Sequence, residues 1–311
     1  GLYKVKQREN MSSPILVIGA LGNVGAEVVK QVLARGGQVR AADIDEKKLR
    51  ERFGDTVEAV RFDFTDPTTY EATFQDITKM FYMRPPHITN IQRDMVPSMN
   101  AAKAAGVERV VFLSLIGIEK TTYVPHYKVE TYLKALNLQT TFLRASFFMQ
   151  NLNTTHRQEI QERDEIYVPV GAAKTSFLDV RDIGAVTAVA LTQPGHENKA
   201  YDLTGPEALN YWQAAGILSE ILGRQITYKN PNPLAFLLNT VRRGTPFVFA
   251  LVMTGLYTAT RFGQANIVTG EVERLTGRKP ISFRQYAEDY KNSWVEIGNN
   301  LQPSILLTFF R

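Results

Sequence analysis

"ILVIGALGNVGAEVVKQVLARGGQVRAADID", residues 15–45, decides the fold. An apolar burst breaks into Gly19, Gly22 and Gly25 at three-residue intervals, a helix-period stretch follows over 24–35, and a second burst ends in Asp43. Glycine at 19 permits a tight turn, glycine at 22 lets a ligand approach bare backbone, and glycine at 25 lets the helix press on the strand. The helix N-terminus adds unpaired N–H groups and a positive dipole end, which suit a diphosphate. A glycine triplet alone is weak evidence. Set between a first strand and a first helix, with an acid ending the second strand about 20 residues on, it predicts a dinucleotide-binding loop. Leu21, Asn23 and Val24 belong to the same loop.

Asp43 bears on which dinucleotide is taken. Its carboxylate can accept both ribose hydroxyl protons of NAD(H) and repels the extra phosphate of NADP(H), so NAD(H) is favoured. Lys47 and Lys48 keep NADP(H) open, against a plainer reading as a solvated helix face. Asp63 ends the third burst, "RFDFTD", where the adenine edge should lie, with Phe64 beside it. The competing role for Asp63 is a turn or helix cap, given Asp66 and Pro67 just beyond.

The rest of the chain extends this beginning. Bursts at 15–19, 38–43, 57–63, 77–83, 109–115 and 139–144 alternate with helix-period stretches such as 24–35 and 90–105. Near-continuous apolar strands separated by helices indicate a parallel sheet covered on both faces. The expected class is therefore α/β, a Rossmann-type doubly wound parallel sheet followed by a smaller mixed α/β domain. The dinucleotide-binding domain is read over 11–155 and the smaller domain over 156–297, with some elements returning to the sheet. Within the latter, 176–191 reads as a strand, then Asp182 as helix cap. Residues 209–224 read as a helix capped by Asn210 and stopped by Gly223, and 282–296 as a helix beginning at Ser282. Residues 231–276 read as mostly helical.

Composition removes several function classes. Among 311 residues, 36 Lys and Arg face 31 Asp and Glu, and the small excess is scattered without a basic run, which disfavours direct nucleic-acid binding. There are no cysteines, so disulfides, thiolate nucleophiles and cysteine metal sites are excluded. The longest apolar stretch, 247–257, falls short of the roughly 20 residues a spanning helix needs. No secretory segment follows Met11, so a cytoplasmic protein is the default expectation. Residues 1–10, "GLYKVKQREN", read as an expression scar, and 298–311 as a short apolar tail.

With "IGALGNVG", "VERVVFLSLIG" and "HYKVETYLKALNLQTTFLRASFFMQNL" in place, the chain resembles the NmrA-like branch of the atypical short-chain dehydrogenases/reductases over roughly residues 14–296. The resemblance implies a nicotinamide cofactor without metal or flavin. It implies either reduction of a small conjugated acceptor, quinone- or dye-like, or redox sensing with little turnover. Lys128 matches the lysine that contacts the nicotinamide ribose and assists proton relay in active members of the broader family. Ser114 is the nearest match to the strand-end serine.

One departure matters for the chemistry. The tyrosine expected four residues before the lysine is replaced by Val124, and Tyr123 and Tyr127 flank the slot facing other directions. Reducing a ketone makes an alkoxide, which demands a placed acid, whereas a quinone gives a stabilised anion and a cationic dye is simply neutralised. The loss of tyrosine argues for an electron-poor conjugated acceptor, or for no turnover. His126 is the substitute acid, with a helix-start or surface role as the alternative. The acceptor is expected near Tyr127, Phe147 and Phe148, with Met83 and Arg84 after the fourth strand beside the cofactor. Arg84 would draw an anionic substrate or pair with cofactor phosphates. A homo-oligomer or a regulatory protein partner stays open.

Overall fold

The computed structural model describes residues 13–295, so the readings placed on 1–10 and 298–311 lie outside the described residues. The chain divides into two compact units. The first comprises the chain up to Ser114 with Ile118–Leu143 and Gly184–Tyr201; the second comprises Leu115–Gly117, Arg144–Ile183 and the chain from Asp202 on.

The strands are β1 (Ile15–Ile18), β2 (Val39–Asp43), β3 (Glu58–Arg61), β4 (Lys79–Tyr82), β5 (Arg109–Leu115), β6 (Gln139–Ala145), β7 (Glu165–Tyr167), β8 (Lys199–Leu203) and β9 (Thr227–Lys229). Seven of them form one sheet in the order β3-β2-β1-β4-β5-β6-β8. β1 runs parallel to β2, with Ile15 opposite Val39, and to β4, with Leu16 opposite Met80. The strand order therefore reverses between β1 and β4, and the glycine loop leaves β1 at this switch point, where doubly wound sheets bind ligands. This is the Rossmann-like α/β arrangement that the alternating bursts predict.

Each helix of the first unit follows from its sequence. α1 (Asn23–Ala34) buries Val24, Val28, Val29 and Val32 at helical spacing, and the chain turns at Gly36 with φ +76°. α2 (Glu46–Phe53) starts where the Asp45 side chain accepts from the Lys48 N–H at 3.0 Å. α3 (Tyr70–Phe74) is short. The period over 90–105 gives two helices instead of one, α4 (Ile91–Asp94) and α5 (Val96–Ala104). Pro97 has no N–H to bond back into the preceding turn, so the ladder breaks at Met95. α6 (Pro125–Ala135) again carries a proline in its first turn. Leu16, Ile18, Phe62, Phe74, Tyr82 and Phe112 belong to one buried core.

In the second unit, β7 and β9 pair in parallel, with Glu165 opposite Thr227. α7 (Arg157–Arg163) precedes them. α8 (Val180–Thr192) departs from the sequence expectation: no strand forms over 176–179, only a bridge between Phe148 and Leu178. Asp182 does not cap this helix. Asp179 does so, its side chain accepting from the Arg181 N–H at 2.9 Å. Asp182 lies inside the helix, fully buried, accepting from the Ile281 N–H and meeting the Arg278 guanidinium at 2.7 Å. A long-range salt bridge claims the acid that local pattern assigns to a cap.

α9 (Tyr211–Leu222) has the expected Asn210 cap, completed by Gln213 into a capping box, and stops at Gly223 with φ +65°. The apolar segment beyond it becomes α10 (Pro233–Arg242), α11 (Phe247–Arg261) and α12 (Glu271–Thr276). Ser282 caps α13 (Phe283–Tyr290), and a separate short helix α14 (Asn292–Val295) follows where one helix is expected. Trp294 is buried there and its Nε1–H donates to the Leu152 carbonyl at 3.0 Å.

Candidate active site

The glycine loop has the geometry its spacing predicts. Gly19 sits at φ +73° and donates to the Ala42 carbonyl at 2.9 Å, so the turn is anchored to the neighbouring strand. A Cβ on Gly25 would lie 2.0 Å from the Gly19 carbonyl oxygen, which no side chain tolerates. A Cβ on Gly19 would meet the Met83 sulfur at 3.1 Å, which places Met83 against this turn. Gly22, in ordinary extended conformation, is the N-cap of α1 and brings no side chain to the first-turn N–H groups. Those donors and their dipole suit the diphosphate of a dinucleotide.

Asp43 does more than end β2. Its Oδ2 accepts from the Leu21 N–H at 3.0 Å and its Oδ1 from the Ile44 N–H at 2.8 Å. The Leu21 carbonyl accepts from Arg52 Nη1 at 2.8 Å, so Leu21 is held through both its N–H and its carbonyl. Arg52, on α2, was not singled out by motif reasoning; only the fold brings it to the loop. Lys47 and Lys48 face Glu51 and Asp45 at 3.8 and 3.5 Å, as exposed pairs along their helix. Asp63 uses Oδ1 to accept from the Thr65 N–H and hydroxyl at 2.9 and 2.8 Å, the turn role that competed for it. Phe64 is buried, its ring 4.8 Å from Phe62 and 5.6 Å from Tyr82.

Beyond β4, Arg84 folds back on its own loop. Nη1 donates to the carbonyls of Pro85, Pro86 and Ile88 at 3.1, 3.1 and 2.6 Å, while Nε is buried without a partner. No carboxylate pairs with it among the described residues, and burial pushes its pKa down to about 10. A sequestered guanidinium without a counter-charge is a standing attraction for an anion. His126 is half-buried as a residue, with Nδ1 sealed from solvent and unpartnered. Burial, and then the Arg84 charge, push its pKa well below 6.5, so it is neutral at pH 7.

Ser114 is fully buried and its hydroxyl donates to Glu130 Oε1 at 2.6 Å. Glu130, two positions beyond the motif lysine, was missed because a buried acid looks like any helix-surface glutamate in sequence. Val124 is the N-cap of α6 and Tyr123 beside it is 81% exposed, so no phenol stands at the tyrosine slot. Tyr127 and the exposed Lys128 line a cavity of about 580 Å³ with Asn90, Gln92, Thr131 and Tyr132.

The second unit holds a buried polar cluster that sequence reasoning did not reach. His156 Nδ1 lies 2.9 Å from Glu159 Oε1, and its Nε2 lies 2.6 Å from the Tyr257 hydroxyl. Glu159 also accepts from the Tyr167 N–H and from Arg243 Nη1, both at 2.9 Å. Burial alone would raise the Glu159 pKa, but His156, these hydrogen bonds and Arg243 hold it below the ordinary glutamate value. Burial, together with the Glu159 charge, pushes the Tyr257 phenol up. Phe147, half-buried, stacks on the Tyr257 ring at 5.8 Å, and Phe148 sits at the bridge to Leu178. The His156–Glu159 spacing on α7 was a readable signal; the 101-residue separation of Tyr257 was not.

A family model described as the NmrA-like family matches residues 11–284. The chain belongs to the NmrA-like family. Among this NmrA-like chain's relatives, an NAD(P)H azoreductase of Xenophilus azovorans is 32% identical over 283 residues, covering 88% of this chain and 96% of that protein. Two solved structures share the fold. A triphenylmethane reductase of Citrobacter sp., complexed with NADP(H), has a TM-score of 0.79 at 22% identity, covering 88% of this chain and 99% of that one. A quinone oxidoreductase of Escherichia coli, complexed with NADPH, has a TM-score of 0.80 at 21% identity, covering 89% and 100%. Among the described residues, no helix is long and apolar enough to cross a membrane, and no group of three or more His, Asp or Glu is placed to hold a metal ion.

Proposed function

We propose that this NmrA-like chain is an NAD(P)H-dependent reductase of a small conjugated acceptor, quinone- or dye-like. The observation that carries the choice of acceptor is the site without its acid: Val124 caps α6 where a tyrosine would stand, and His126 is neutral with its Nδ1 sealed from solvent. The kinship with an azoreductase along nearly that protein's whole length supports the reaction class.

Gly19, Leu21, Gly22, Asn23, Val24 and Gly25 hold the diphosphate of the dinucleotide with main-chain N–H groups. Asp43 takes the adenine ribose and favours NAD(H) over NADP(H). Asp63 and Phe64 border the adenine, and Met83 lies against the loop. When bound, the nicotinamide supplies the hydride. Lys128 orients its ribose and balances protons at the protein surface, and Tyr127 walls the acceptor. Arg84 supplies positive charge to the anion that forms on the acceptor, which lessens the need for a strong acid. His126 and Ser114 serve the site by hydrogen bonding.

The second reading is a cofactor-state sensor with little turnover, favoured by the Ser114 hydroxyl being taken by Glu130. A single experiment separates the two. NADH and NADPH oxidation is followed with quinones, azo dyes, triphenylmethane dyes and a simple ketone. The reductase reading expects turnover of conjugated acceptors and none of the ketone, with Lys128→Ala slower by about tenfold to a hundredfold. Tight dinucleotide binding with no acceptor turned over would instead establish the sensor.

A further inference from the structure

The cations of α2 differ in what they hold. Lys47 faces Glu51 at 3.8 Å, Lys48 faces Asp45 at 3.5 Å and Arg50 meets Glu46 at 2.6 Å, each at the spacing that pairs side chains along a helix. Arg52 is different. The acid three residues on, Asp55, lies past the helix end, and Arg52 makes no ion pair among the described residues. It is exposed, and its hydrogen bond is the one from Nη1 to the Leu21 carbonyl. A guanidinium carries five N–H donors in a planar fork, so most of this one stays open to an anion.

The place of that fork gives it a use. Asp43 Oδ2 holds the Leu21 N–H at 3.0 Å, while Arg52 Nη1 holds the Leu21 carbonyl at 2.8 Å. The main chain of one residue separates the two, which sets carboxylate oxygen and guanidinium nitrogen within about 10 Å of each other. A ribose bonded to Asp43 through its 3′-hydroxyl, with a phosphate on the adjacent 2′-oxygen, spans about that distance. Asp43 by itself repels such a phosphate. A guanidinium beyond the phosphate offsets the repulsion and offers two parallel N–H···O bonds. Lys47 and Lys48, closer to Asp43 in sequence, already face acids of their own.

We infer that Arg52 is the specificity residue that admits the 2′-phosphate of NADP(H). The site then takes both nicotinamide dinucleotides, with Asp43 and Arg52 drawing the preference in opposite directions. The inference rests on the dinucleotide reading proposed above, and assigns the phosphate to a residue outside the glycine motif.

The test is isothermal calorimetry of the full chain with NADH and NADPH, in the parent, in Arg52→Gln and in Arg52→Lys. Adenosine 2′,5′-bisphosphate and AMP, which differ by the 2′-phosphate alone, are titrated alongside. Arg52→Gln is expected to weaken NADPH about tenfold to a hundredfold more than NADH, and the bisphosphate more than AMP to a similar extent. Arg52→Lys keeps the charge without the fork and should fall between. A loss shared by NADH and NADPH reports the anchor on the Leu21 carbonyl, and the ratio of the two affinities reports the phosphate. Circular dichroism of each variant should match the parent, since the side chain is exposed. Equal weakening of NADH and NADPH in Arg52→Gln, or no weakening of either, overturns the inference and leaves Arg52 a support of the turn. A parent chain that binds NADH with no measurable affinity for NADPH overturns it as well. Binding of neither dinucleotide by the parent is a separate result, which overturns the dinucleotide reading itself and the inference with it.

Discussion

At the scale of single residues, glycine positions make the sharpest predictions because the space around them is known. Gly25 has none: its absent Cβ would sit 2.0 Å from a main-chain oxygen that cannot swing away. Gly25→Ala is expected to lose about 1–3 kcal/mol by denaturant unfolding, with nucleotide binding lost alongside. Gly216, in α9, has nothing within 4 Å of its would-be Cβ, so Gly216→Ala should gain about 0.5–1 kcal/mol. If both alanines behave alike, the loop is not packed as described. Arg84 is the residue on which acceptor reduction should depend most. Replacing the guanidinium by an amide, Arg84→Gln, should lower kcat/KM for quinones about a hundredfold, with NADH affinity changed far less. An equal fall in both would move Arg84 from the acceptor to the cofactor phosphates.

At the scale of elements, the cluster of Glu159, His156 and Tyr257 joins α7 to α11 by buried hydrogen bonds. The Glu159 carboxyl has its native pKa below the ordinary 4.5. Its contribution to stability is therefore whole above pH 4.5 and is lost as pH falls through the lower native value. Urea unfolding at pH 7 and pH 4 should show this loss, and Glu159→Gln should be weaker at pH 7 while losing less on acidification. An unchanged acid slope in the variant would remove Glu159 from the account. Of this cluster only the His156–Glu159 spacing was open to notice beforehand, because Tyr257 meets them only through the tertiary fold. What was legible had local causes. The Asn210 and Ser282 caps and the Gly223 stop are short-range chemistry, and the structure has all three. Asp182 shows the limit: as a sequence neighbour of a helix start it reads as a cap, until Arg278 and Ile281, about a hundred residues on, claim it. The break at Met95 was open to notice, since Pro97 was in plain view.

At the scale of the whole molecule, sheet order and loop position follow from periodicity, since parallel strands with helical crossovers allow few topologies. The chemistry at the sheet edge was less legible. Arg84 and His126 look like loop and helix-start residues in sequence, and only burial reveals two polar atoms without partners. A dinucleotide that binds the native chain alone should raise its melting point, by about 2.7 kcal/mol of apparent stability at a hundredfold excess over Kd. NADH is expected to shift the melt more than NADPH, and Asp43→Ala to narrow or reverse that order. No shift with either nucleotide would remove the cofactor and the reductase together.

The Asp43 to Leu21 bond has one more consequence. A carboxylate that already grips the turn before any guest arrives keeps that turn in its receiving shape, so the side chain proposed to set the nucleotide preference also holds the turn ready. Redesigning the preference at position 43 should then carry a penalty on every nucleotide, the newly preferred one included. A second change that stiffens the freed turn would be needed to win the lost affinity back.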